Sequence, residues 1–159
     1  MKRHQTLRTG IILGSLTALM VVGLAGAQSA RVGSGDVVAD RQRLMKLNGA
    51  SWADAQAKMK AGSVEAIAVN AETMALNAMH ISALFPQGSL TDKSKAKPEV
   101  WQKWAEFESA AKNMVTWAEK LRDTANTKDA AATEAVVKDF GRQACGTCHT
   151  PFRVPPPRS

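Results

Sequence analysis

Apolar side chains return every three to four residues through four stretches of the chain, and no stretch alternates strictly between apolar and polar. In the first, Val38, Met45, Trp52 and Met59 follow one another at intervals of seven, the repeat of a helix nearly parallel to its neighbours. Asp36 is placed to cap that helix and Gly62 to stop it near Ala61, while Gly49 interrupts it as a weak point or a place of close approach. Val64, Ile67, Ala71, Met74, Ala78 and Ile81 predict a second helix from Val64 to about Leu84. Proline, glycine and lysines then break the pattern from Phe85 to Lys97, which reads as a loop.

Pro98 suits the first turn of a third helix. Val100, Trp104, Phe107, Ala111, Met114, Ala118 and Leu121 carry it to about Asn126. Thr127 or Asp129 starts a fourth, with Val136, Val137, Phe140 and Ala144 on its inner line; Val154 and the three prolines after it cannot extend it. Four amphipathic helices joined by one long and two short connections predict an all-α, antiparallel four-helix bundle.

The amino terminus changes the picture of where this bundle works. Lys2, Arg3 and Arg8 precede an uncharged run from Thr9 to Gly26 that ends in Ala25-Gly26-Ala27, the order of a secretory signal peptide. An uncleaved anchor is the competing reading, but the run is short and diluted by glycine, serine and threonine. Cleavage after Ala27 removes 27 of 159 residues and three of 21 basic side chains, leaving 132 residues with a net charge of +4. We expect a signal peptide (1–27), a flexible segment (28–35), a single helical domain (36–153) and a proline-rich tail (154–159), exported to the periplasm with no stable membrane insertion. The modest charge, without a concentrated basic stripe, argues against nucleic acid and for a mild preference for acidic partners.

Candidate chemistry is concentrated in Cys145-Gly146-Thr147-Cys148-His149, which holds both cysteines of the chain. Two thiols flanking two residues, followed by an imidazole, are what covalent haem attachment needs: the sulfurs take up the vinyl groups and the histidine ligates iron. On a helix, Cys145 and His149 stand one turn apart with Cys148 alongside. A disulfide or redox pair would want a thioredoxin-like βαβ context, and a zinc site a fourth well-spaced ligand; neither is present.

No methionine follows His149, so a sixth iron ligand must come from upstream. The candidates are Met45, Met59, Met74, Met79, Met114 and His80. Met45, about two and a half turns into the first helix, lies at the height of the far end of an antiparallel fourth helix. Plain core packing is the competing role for it, as for any helical methionine.

The motif and its surroundings resemble the class II c-type cytochromes, the cytochrome c-prime family. The likeness rests on Cys145-Gly146-Thr147-Cys148-His149-Thr150-Pro151-Phe152-Arg153, on Arg41-Gln42-Arg43-Leu44-Met45, on Leu84-Phe85-Pro86 and on Pro98-Glu99-Val100-Trp101. It implies one covalent haem c on a left-handed four-helix bundle, often a homodimer through the first two helices, with His149 as axial ligand and position 45 on the distal side. The text around Met45 is closer to the low-spin branch, in which a methionine there binds iron. By the same resemblance Arg41 and Arg153 lie near the haem edge, where a guanidinium pairs a propionate. Pro151 departs from the pattern, and the helix is expected to end or kink there, which puts the placement of Phe152 and Arg153 in doubt.

Two functions follow from one residue. With Met45 on iron, the protein is an electron carrier serving periplasmic redox partners. With Met45 only packing, it is a five-coordinate cytochrome c-prime that binds nitric oxide or carbon monoxide. A peroxidase wants a distal acid–base group beside open iron, and none is placed for it, so no enzyme is expected.

Overall fold

The computed structural model describes residues 34–156; the leader and its expected cleavage site lie outside the described residues. Helix α1 spans Val37–Lys60 and begins where Asp36 accepts the amides of Val38 and Ala39. It ends at Ala61, before Gly62 at φ +73°, a conformation that favours glycine. Of the expected stripe only Val38 is fully buried, while Met45, Trp52 and Met59 are half-buried against the core. The fully buried row is the second heptad seam, Arg41, Asn48 and Ala55. Two of its three members are polar, so an apolar pattern does not reveal it.

Helix α2 spans Ile67–Met79, starting a turn later than Val64 and giving way to a 3₁₀ turn at Ser82–Leu84. All six of its expected core residues are buried. The third expected helix is divided: α3, Glu99–Gln102, is one turn, and Lys103 (φ −122°, ψ 49°) separates it from α4, Trp104–Asn126. The separate turn places the Trp101 indole N–H at 3.1 Å and 3.0 Å from the Phe85 and Pro86 carbonyls. Asp129 caps α5, Ala130–Phe140.

The last helix does not continue as a plain α-helix. Gly141–Gly146 forms a π-turn, and α6 covers Thr147–Phe152. Pro151 lies inside α6 and does not end it: Phe152 is buried at 4% exposure, and the Arg153 amide still donates to His149. Proline is tolerated because it falls in the last turn, so the one α-helical bond its missing amide removes lies at the helix end and not in mid-helix. Beyond it Arg153 forms an antiparallel bridge with Ala96, flanked by Lys97 N–H to the Phe152 carbonyl and Val154 N–H to the Lys95 carbonyl. The long loop is thereby tied to the end of the last helix.

The architecture is a four-helix bundle of α1, α2, α3–α4 and α5–α6, with α2 packed against α4 and α1, and the last helix against α4. No strand occurs among the described residues, and none of their helices is long and apolar enough to cross a membrane. Burial at Ile67, Met74, Phe107, Leu121 and Phe140 is complete or nearly so. Phe140 stacks on Trp52 at 4.7 Å, joining the last helix to the first.

Candidate haem site

Between α1, the loop and α6 lies a cavity of about 450 Å³. Its wall includes Met45 and Arg41 from α1, Ile81 and Phe85, Lys95 and Ala96 from the loop, Phe107 from α4, and Cys148, His149, Phe152 and Arg153. An inner chamber of about 110 Å³ shares Met45, Ile81, Cys148 and His149 with it and adds Asn48, Trp52, Met74, Met114 and Cys145. The main cavity falls in the ~300–1,000 Å³ range of small-molecule and cofactor sites, and like them it is largely apolar with a few convergent polar groups.

All six expected site residues therefore line this space. Cys148, His149 and Met45 face both parts, Cys145 the inner chamber, and Arg41 and Arg153 the outer cavity. The other candidate ligands separate. His80 is exposed beyond the end of α2, Met79 is 58% exposed, and Met59 is absent from the walls. Met74 and Met114 are buried in the inner chamber, closer to the site than their places along the chain suggest.

Electrostatics suit an uncharged donor set. Burial lifts the Cys145 thiol, and burial together with its neighbour Cys145 pushes Cys148 up to about 11. Burial, then the nearby Arg153 cation, holds His149 below its usual value, so its imidazole is neutral at pH 7 and keeps a nitrogen lone pair for a metal.

Arg41 is only 5% exposed, and its guanidinium is engaged with the loop. Nε donates to the Leu84 carbonyl, Nη1 to the Ser89 carbonyl (3.2 Å) and Ser94 hydroxyl (3.3 Å), and Nη2 to the Ser89 hydroxyl. Its carbon sits 4.1 Å from the Phe85 ring centroid. Burial lowers its pKa, with Asp36 opposing. Arg153 is exposed at the cavity mouth.

Asn48 was not foreseen from the sequence. Its carbonyl oxygen accepts from Asn77 at 2.9 Å, but its amide nitrogen is buried in the chamber wall with no partner. A polar residue one turn after Met45, on the second heptad seam, was the available signal. A buried N–H without an acceptor costs about 1–3 kcal/mol. An apolar cavity with a waiting donor, two adjacent thiols and a neutral imidazole fits a covalently attached haem: Cys145 and Cys148 would hold it and His149 would ligate its iron.

The family described as Cytochrome C′ matches residues 36–153. Cytochrome c-554 of Cereibacter sphaeroides is 36% identical over 73 residues, 44% of this chain and 46% of that protein, so the chain spans about half the length of that relative. Cytochrome c-556 of Agrobacterium tumefaciens is 30% identical over 120 residues, 74% of this chain and 96% of that one. A solved cytochrome c′ with an unusual ligand-controlled dimer dissociation superposes with a TM-score of 0.69 at 25% identity, over 78% of this chain and all of that one. Covalent haem c is the cofactor that this family and these relatives share with the site. The chain belongs to the cytochrome c′ family.

Proposed function

We propose that the protein is a periplasmic electron carrier, not an enzyme, in which His149 and Met45 would both ligate the iron of a covalently held haem c. The observation that carries this reading is the Met45 side chain in the wall of both chambers that also hold His149 and Cys148. Bound haem c supplies the one-electron ferrous–ferric couple. Cys145 and Cys148 fix it to the last helix, His149 presents its neutral nitrogen, and Met45 offers a thioether that needs no rearrangement between oxidation states. The apolar walls from Phe85, Phe107 and Phe152 exclude water, and Arg153 stands at the mouth for a propionate.

A second reading has its own support. The family match is to cytochrome c′, and the solved relative with ligand-controlled dimer dissociation leans the comparisons toward a protein that takes up a small ligand. The unpartnered Asn48 amide is a donor such a ligand would meet. In that case Met45 is a packing residue over open iron. Val69 and Leu76, exposed two turns apart on α2, with Leu47 on α1, suit pairing of two copies through the first two helices in either case.

The visible spectrum of the ferrous holoprotein with and without carbon monoxide tests the choice. Sharp low-spin bands indifferent to the gas are expected, and Met45→Ala should make the spectrum high-spin and responsive to it. A wild-type spectrum that is already high-spin and shifts with carbon monoxide would replace the electron-carrier reading with the second one.

A further inference from the structure

We infer that the mouth of the cavity is a docking surface for the acidic face of a partner protein; this rests on the electron-carrier reading. Lys46, Lys95 and Arg153 line the mouth beside buried Arg41. The Lys93 carbonyl accepts from Gln42, itself in the cavity wall, and Lys97 Nζ donates to the Thr150 carbonyl next to His149. Three cations thus line the opening through which electrons would pass, exposed Lys93 and half-buried Lys97 flank it on the same loop, and no carboxylate lines either chamber.

What separates these cations from the others is that they gather unpaired at one opening, whereas Lys60, Lys112 and Lys120, also without a carboxylate within 4.0 Å, do not line it. Lys46, Lys93, Lys95, Lys97 and Arg153 have no carboxylate within 4.0 Å among the described residues. Elsewhere cations are commonly neutralised, as Arg122 is by Glu72 at 2.7 Å and Lys128 by Glu65 at 2.9 Å. With the five and Arg41 set aside, the rest of the described chain carries ten basic against fourteen acidic side chains. The remainder thus carries a net −4, a count that includes Asp92 and Asp36 near the mouth, and the excess positive charge is concentrated at the opening. Two haem propionates are too few to cancel it.

The patch is also held in place. The bridge between Ala96 and Arg153, with its flanking bonds from Lys97 and Val154, sets Lys95, Lys97 and Arg153 on backbone fixed to the haem-bearing helix. Fixed like charges around a redox centre steer and orient an oppositely charged partner, and lose that power once salt shortens the Debye length to about 8 Å or less.

The test measures oxidation of the ferrous holoprotein by stopped flow, with ferricyanide as anionic and hexaammineruthenium(III) as cationic oxidant. Each takes one electron from ferrous haem, leaving ferric haem with no proton transferred. Ferricyanide oxidation should slow several-fold between 10 and 200 mM NaCl, whereas the ruthenium reaction should not slow. The triple variant Lys46→Glu, Lys93→Glu, Lys95→Glu should lose about tenfold in ferricyanide rate at low salt. Lys60→Glu, Lys120→Glu, Lys138→Glu, with the same change in net charge, should stay within about twofold. Poly-L-glutamate at low salt should inhibit the wild type and spare the mouth variant.

Equal losses in the two triple variants would overturn the proposal, because net charge alone would account for them. No inhibition by poly-L-glutamate would also overturn it, leaving a mouth that attracts small anions only. A haem that fails to cycle between ferrous and ferric spectra would remove the electron-carrier reading together with the proposal. A cycling haem with salt-independent rates would remove the proposal alone.

Discussion

Replacing Arg41 with leucine separates two roles for the most deeply buried cation at the site. In the structure its guanidinium holds the loop after α2, donating to two backbone carbonyls and two serine hydroxyls while lying over Phe85. Each bond from a charged donor to a carbonyl is worth roughly 1.5–3 kcal/mol, and a desolvated contact with an aromatic face about 2 kcal/mol. These terms overlap, and leucine recovers some apolar burial, so the net loss should be about 3–5 kcal/mol. Denaturant unfolding of the holoprotein at pH 7 measures it, and limited proteolysis should reveal new cleavage between residues 86 and 95. Arg41→Lys should rescue little, since one ammonium cannot reach the Leu84 carbonyl and both serines together. A loss under about 1 kcal/mol, no new cleavage and a clear shift in haem potential would refute the loop-clamp account and leave a propionate as the principal partner.

Three further outcomes are expected. Burial acts to raise the Asp40 carboxyl, but bonds from the Ser34 amide and hydroxyl and from Arg43 outweigh it and hold the group below its usual value of 3.8. It therefore adds stability above that value and loses it as pH falls through the lower folded pKa; Asp40→Asn should be destabilised at pH 7 and close on the wild type as acid protonates the carboxyl, whereas a gap that stays constant on acidification would contradict this. Asn48→Leu should lower the reduction potential of the holoprotein, because a donor facing the chamber is lost, and an unchanged potential would mean the amide has no acceptor on the haem side. Asp129→Ala removes the cap on Ala132 and should cost about 1 kcal/mol, read as a thermal midpoint lower by about 3–5 °C.

The legible part of this protein is the part written in periodicity and capping. Asp36, Gly62, Pro98 and Asp129 mark helix boundaries through local chemistry, and the structure uses each where that chemistry places it. The core lines of α2 and α4 could be read because apolar side chains at spacings of three and four have one way to be buried together. The break at Lys103 could not, because Val100, Trp104 and Phe107 keep an unbroken helical spacing across it; the Trp101 indole, bonded to carbonyls sixteen and fifteen residues earlier, is a tertiary demand. Arg41 is expected at the haem edge, but its burial and that of Asn48 were hidden for a related reason: each is polar, and each is buried only because a partner distant in sequence satisfies it at least in part.

The π-turn before the haem motif shows how spacing and site are linked. The inner line of the last helix runs Val136, Phe140, Ala144, Cys148, Phe152, four residues at every step. In an α-helix of 3.6 residues per turn each such step overshoots a full turn by about 40°, so four steps would carry Phe152 about 160° from Val136, nearly to the opposite face. Yet Val136, Phe140, Ala144 and Phe152 are all buried, and Cys148 packs against the same core. The i→i+5 bonds of Gly141–Gly146 turn the chain through fewer degrees per residue and take back part of that drift. The glycines at its two ends are not needed for space: a Cβ on Gly141 would meet nothing within 4 Å, and one on Gly146 only the Gly141 carbonyl at an ordinary 3.6 Å. The opened turn therefore keeps Phe140 on Trp52 while Cys148, His149 and Phe152 still face the cavity, and an uninterrupted α-helix could satisfy one of these demands but not both.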